Sequence, residues 1–147
     1  MNPLLAIFLI ATCAITTPAR GQNGLNNSAS ASCPLATEIG PLHLYGLWRA
    51  EFEGLAPAAT VLFERHPELA GSVSGGVNRD GVKALIAGDV DAGEFTLEES
   101  PDGLRIAATW LGTVVDKSCG KEIRGIWNNT SGTASYPFVL RKLPGWQ

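Results

Sequence analysis

The sequence predicts an all-β protein: an antiparallel up-and-down meander of about eight strands, closed into a small barrel, with a β-sandwich as the alternative arrangement. Three observations predict it. Apolar side chains recur at every second position in eight short runs, the period of a strand with one buried face. Turn chemistry separates the runs: Asn78-Arg79-Asp80-Gly81 and Pro101-Asp102-Gly103 carry Asp-Gly, a strong hairpin signal. No segment after Tyr45 shows capped helical periodicity, so the long crossovers that parallel strands need are missing.

The elements follow in order. Residues 35–45 read as a helical turn or irregular lead-in to the first strand. Leu47 to Phe52 places Trp48, Ala50 and Phe52 on one face, and Ala59 to Arg65 aligns Ala59, Val61 and Phe63. Gly71 to Asn78 is a small-residue strand with Val73 and Val77 in phase; Gly81 to Ala87 carries Val82, Ala84 and Ile86. Phe95 to Ser100 sets Phe95 and Leu97 opposite Thr96 and Glu98, and Leu104 to Val114 aligns Leu104, Ile106, Ala108 and Trp110. Glu122 to Asn128 aligns Ile123, Gly125 and Trp127; Ser135 to Arg141 aligns Tyr136, Phe138 and Leu140. Eight short strands with short links favour closure, which removes exposed edges. An eight-stranded barrel is wide enough to be filled by side chains or to hold one small ligand. A short echo between Gly46-Leu47-Trp48 and Gly125-Ile126-Trp127, each followed by Val-Leu and then Arg, fits first and last hairpins that are neighbours.

Residues 1–21 read as a signal peptide. Leu4 to Ala11 is an uncharged apolar run, too short to span a bilayer and of signal-core length. Small residues permit cleavage before Gln22 or before Arg20. An uncleaved anchor is one alternative. Lipidation at Cys13, in the lipobox-like Leu9-Ile10-Ala11-Thr12-Cys13, is another and would make the protein an envelope lipoprotein with a scaffolding role. Residues 22–34 are small and polar and read as a flexible tether, leaving 35–147 as one domain. The location expected is the periplasm or the exterior. With Cys13 in the signal, Cys33 and Cys119 remain, an even pair that reads as a disulfide in an oxidising compartment; two free thiols are the other possibility.

Composition excludes some functions. The formal charge is −3, and −4 once Arg20 leaves with residues 1–21, while the eleven basic residues are scattered. Nucleic acid and anionic lipid need clustered cations, so neither is an expected partner, and contact with a membrane is expected only through an anchor at Cys13. His43 and His66 lack metal-site spacing with the cysteines. Asp89, Asp91 and Glu94 begin like a calcium loop but depart from the EF-hand at Gly93. Gly71, Gly75 and Gly76 precede no Lys-Ser pair, so no P-loop is present. No metal and no cofactor are expected. Ser72-Val73-Ser74-Gly75 lacks the form of a nucleophile elbow. Glu51 with Glu53 and Glu98 with Glu99 are the carboxylate pairs a hydrolase or isomerase would need. The sequons at Asn26, Asn128 and Asn129 carry meaning only in a eukaryotic secretory pathway. The aromatic residues Trp48, Trp110, Trp127 and Tyr136 share the inward phase. They are core candidates and also candidates for lining a ligand mouth, where an indole N–H fixes a polar partner.

Gly46-Leu47-Trp48 on the first strand of such a barrel resembles the calycin group of lipocalins and avidins, and Trp127 followed by Thr130-Ser131-Gly132-Thr133 is similar to an avidin strand and loop. That resemblance implies a barrel with a ligand site at its mouth; the other biotin contacts are not recognisable, so biotin is not implied. Ser131-Gly132 ahead of Tyr136 also resembles a motif of the small periplasmic inhibitors of C-type lysozyme, which implies a protein partner contacted by Ser131, Gly132 and Tyr136. The expectation is therefore an exported, disulfide-stapled barrel that binds a small molecule in its mouth or a protein through its loops. A carboxylate-based hydrolase or isomerase is the alternative from another class.

Overall fold

The computed structural model describes residues 32–145; the expected signal peptide, Cys13 and most of the expected tether lie outside the described residues. A 3-10 turn (Ala36–Glu38) and a one-turn helix α1 (Pro41–Leu44) lead into eight strands: β1 Gly46–Phe52, β2 Leu55–Arg65, β3 Ser72–Arg79, β4 Val82–Asp91, β5 Glu94–Ser100, β6 Ala108–Val114, β7 Glu122–Asn129 and β8 Ser135–Lys142. Every strand pairs antiparallel with its sequence neighbour, and β1 pairs with β8 from Trp48–Lys142 to Phe52–Phe138. The barrel is thus closed in meander order, as the short links require. Asp80 and Gly81, and Ala92 and Gly93, all have positive φ (53°, 86°, 47° and 86°), as two-residue hairpins need to match strand twist.

The inward phase was legible, and the interior is packed. Trp48, Phe63, Phe95, Trp110 and Phe138 are essentially inaccessible, and they meet edge-to-face in a chain: Trp48–Phe63 at 5.9 Å, Phe63–Phe95 at 6.0 Å, Phe95–Phe138 at 6.5 Å, Phe138–Trp110 at 5.1 Å. Such geometry suits the ring quadrupoles. Two glycines make room for it. Gly112 and Gly125 face each other across β6 and β7, between Phe95 on β5 and Phe138 on β8. A Cβ on Gly125 would lie 2.0 Å from the Leu111 carbonyl oxygen, and one on Gly112 would reach Phe138 at 3.2 Å. The backbones approach here because no side chain intervenes.

Two expectations are corrected. The sixth strand begins at Ala108 and not at Leu104. Asp102 accepts the backbone N–H groups of Leu104 and Arg105 through Oδ1, both at 2.9 Å, and this local turn competes with the strand ladder. Leu104 and Ile106 are therefore exposed and not inward. Val82, expected in phase with Ile86, is also exposed at the hairpin.

The same bonds pull the Asp102 carboxyl from 3.8 down to about 2: the N–H groups of Arg105 and Leu104 lower it first, and the Arg105 side chain adds to them. A carboxylate whose folded value is depressed stabilises above its unfolded value and loses that contribution as pH falls through the folded one. The Leu104 and Arg105 amide resonances are expected to titrate with a midpoint about 2; a midpoint near the ordinary 3.8 would mean the turn is open in solution.

Candidate functional site

The two ends of the barrel differ. One is closed by the N-terminal segment, where Ile39 and Leu44 are buried and Cys33 is joined to Cys119 in the β6–β7 connection. Trp48 sits at this end and its indole donates to the Leu44 carbonyl at 2.6 Å. Lys142 reaches over the Trp48 ring, 5.8 Å from its centre, and donates to the His43 carbonyl at 2.6 Å. Burial, then the neighbouring Lys121 charge, lowers the Lys142 ammonium from its ordinary value. This end is a latch built from packing and backbone bonds. The disulfide is of the type that persists in an oxidising compartment.

The other end carries the turns 53–54 and 80–81, the connection 101–107 and the loop 130–134, and it holds the charged centre of the molecule. Glu99, 8% exposed, is the buried charged side chain among the described residues. Its Oε2 accepts the indole N–H groups of Trp110 at 3.1 Å and Trp127 at 3.0 Å. Its Oε1 stands 3.6 Å from Arg79 Nη1, an ion-pair contact longer than a hydrogen bond. The Arg79 guanidinium lies 4.9 Å from the Phe52 ring centre and 5.2 Å from that of Trp127, a cation between two aromatic faces. Tyr136, half-buried, stacks on Trp127 with ring centres 5.9 Å apart.

Glu99 is fully engaged, whereas Arg79 is not. Arg79 Nε and Nη2 are buried without a hydrogen-bond partner. These two N–H groups form the side-on edge of the guanidinium, the fork that matches a carboxylate bidentately. A buried donor left without a partner costs about 1–3 kcal/mol, and the Nε/Nη2 edge is the part of Arg79 left for a further acceptor. Arg79 ends β3, and its side chain keeps 18% of its surface exposed at the rim.

The structure thus brings Trp110, Trp127 and Tyr136 together at one end and places Trp48 at the other. Arg79 and Glu99 were missed, the one read into a turn and the other paired with its neighbour. The signal was present: Arg79 continues the phase of Val73 and Val77, and Glu99 that of Phe95 and Leu97. Glu98 and Glu99 lie on opposite faces of the wall, so they do not converge on one bond. Glu51 is outside, bonded to Arg49 and Arg141 at 3.1 Å each. Ser131 and Gly132 are exposed in the 130–134 loop, and the Ser131 N–H and hydroxyl both donate to Asn129 Oδ1, at 2.8 and 2.7 Å. Among the described residues no group of three or more His, Cys, Asp or Glu is placed to hold a metal ion. No family model matches the chain, and no curated protein matches it.

Proposed function

We propose that the protein is an exported binding protein whose open end takes a small molecule bearing a carboxylate. The observation that carries this reading is the unpartnered Nε/Nη2 edge of Arg79, set between the Phe52 and Trp127 rings. The carboxylate supplies the missing acceptors, and the aromatic faces of Phe52, Trp127 and Tyr136 favour an aromatic or apolar body. Because side chains fill the interior, the ligand sits at the rim, where the Arg79 side chain keeps 18% of its surface exposed. Kinship with the calycins is part of this reading; the closed eight-strand meander and the Gly46-Leu47-Trp48 opening support it. Export is supported by the signal-like residues 1–21 and by the Cys33–Cys119 bond.

Benzoate tests the reading, with benzylamine as the control of opposite charge. Tryptophan fluorescence is expected to change saturably with benzoate and not with benzylamine, and the response is expected to fall by roughly tenfold or more in apparent affinity in Arg79→Met, as loss of a charge-assisted pair implies. Equal responses to both compounds would remove the anion reading. The exposed 130–134 loop favours a second reading, a protein partner at the same rim. Inhibition of a C-type lysozyme by the wild type, lost in a variant whose loop residues Ser131 and Gly132 are both replaced by aspartate, would move the function there.

A further inference from the structure

We infer that the outer wall over β2–β5 is a docking surface for a cationic amphipathic peptide segment, independent of the open-end site. The wall carries apolar side chains in a pattern the fold does not need. Leu62 and Leu85 flank Gly76 in the register of β2, β3 and β4, and Leu104 and Ile106 of the 101–107 connection line one groove with Leu85. All four are exposed, Leu104 by 88%. The groove lined by Leu85, Leu104 and Ile106 measures about 560 Å³ and includes Ser74, Gly75 and Ala87, small residues that leave a trough, with Leu62 beside it across Gly76.

Leu104 is held in water by structure and not by looseness. Asp102 caps its N–H at 2.9 Å. The ends of the connection are tied by Ala107 N–H to the Glu99 carbonyl at 2.8 Å and by the Thr130 hydroxyl to the Ile106 carbonyl at 2.9 Å. A Cβ on Gly103 would touch Leu85 at 3.2 Å, so the turn lies against the wall. Apolar side chains fixed in solvent beside one another mark a surface that is covered in use.

Charge identifies the occupant. Glu64 and Glu98 line the groove on either side, and neither belongs to an ion pair among the described residues. Register places them at the ends of the row Glu64–Ser74–Ala87–Glu98, three strand steps or about 14 Å apart. A helix with its side chains is about 10–12 Å across. An apolar stripe against Leu85, Leu104 and Ile106, with Lys or Arg on both flanks facing Glu64 and Glu98, matches the apolar and acidic sides of the trough.

The test uses a Leu/Lys amphipathic peptide of about 18 residues, roughly five helical turns, a scrambled peptide of the same composition, and a Leu/Glu counterpart. Anisotropy titration is expected to show the wild type binding the Leu/Lys peptide at least roughly tenfold more tightly than the scramble. The pair Glu64→Lys and Glu98→Lys is expected to lose that binding and acquire affinity for the Leu/Glu peptide, a gain that a misfolded variant does not show. Leu104→Ser with Leu85→Ser is expected to weaken it by a similar factor, while Arg79→Met leaves it unchanged and so separates this surface from the open end. Equal binding of the scramble, insensitivity to the wall substitutions, or sedimentation showing a wild-type dimer that Leu104→Ser dissociates would each overturn the inference, the last by placing a second copy on the wall.

Discussion

Replacing Glu99 with leucine is expected to destabilise the protein by about 4 kcal/mol, the range for breaking a buried ion pair from one side. Three groups lose their partner at once. Arg79 keeps its charge between Phe52 and Trp127 with no carboxylate beside it, and the indoles of Trp110 and Trp127 keep their N–H groups with no acceptor. The companion variant Arg79→Met leaves Glu99 its two indole donors and is expected to cost less. In the double variant the uncompensated cation is gone, so the double is expected to recover at least about 2 kcal/mol of the Glu99→Leu loss, since an apolar pair often replaces a buried ion pair at little cost. Urea unfolding of the four proteins measures this as a coupling energy. Strict additivity of the two single variants would show that Arg79 and Glu99 act separately.

The second large effect lies at the opposite end. Removing the disulfide with Cys33→Ser and Cys119→Ser is expected to cost about 4 kcal/mol, because the bond spans 86 residues of sequence and constrains the unfolded chain accordingly. The loss has a local component. Lys117, Cys119 and Gly120 all have positive φ, 62°, 56° and 70°, and a residue other than glycine in that region costs roughly 1–2 kcal/mol. Gly120 packs directly under Ile39, so the β6–β7 connection and the N-terminal segment hold each other. Hydrogen exchange of the reduced protein is expected to rise first at residues 36–44 and 115–121, with the Glu99 end still protected. Uniform exchange throughout, or a loss below about 1 kcal/mol by urea unfolding, would contradict this division of the barrel into a stapled end and a charged end.

These two centres were unequally legible in the sequence. The staple followed from counting cysteines outside the signal-like segment. The barrel followed from period-two phase and turn chemistry, which are local signals carried by strands with one buried face. The charged centre was hidden because charge is the usual mark of a turn or a solvated face. Arg79 sits within an Asn-Arg-Asp-Gly turn, and Glu99 is preceded by the exposed Glu98. Only the phase of each strand, extended past its last apolar residue, points these two side chains inward. Leu104 and Ile106 failed in the other direction. Their alternation is that of a strand, and the bonds from Asp102 to the Leu104 and Arg105 amides override it. No feature of the sequence separates an interior leucine from one displayed on the outer wall once such a turn intervenes.

Whether the open end takes an anion through Arg79, as proposed, is tested most directly by following side-chain N–H resonances during a benzoate titration of the wild-type protein. Four tryptophans give few indole signals, and among the described residues Trp110 and Trp127 donate to Glu99, whereas Trp48 donates to Leu44 at the closed end. Anion binding at Arg79 is expected to give saturable shifts of the Arg79 Nε–H and of the Trp127 and Trp110 indoles, with Trp48 unmoved. No shift at Arg79, or a Trp48 shift as large as that of Trp127, would contradict it.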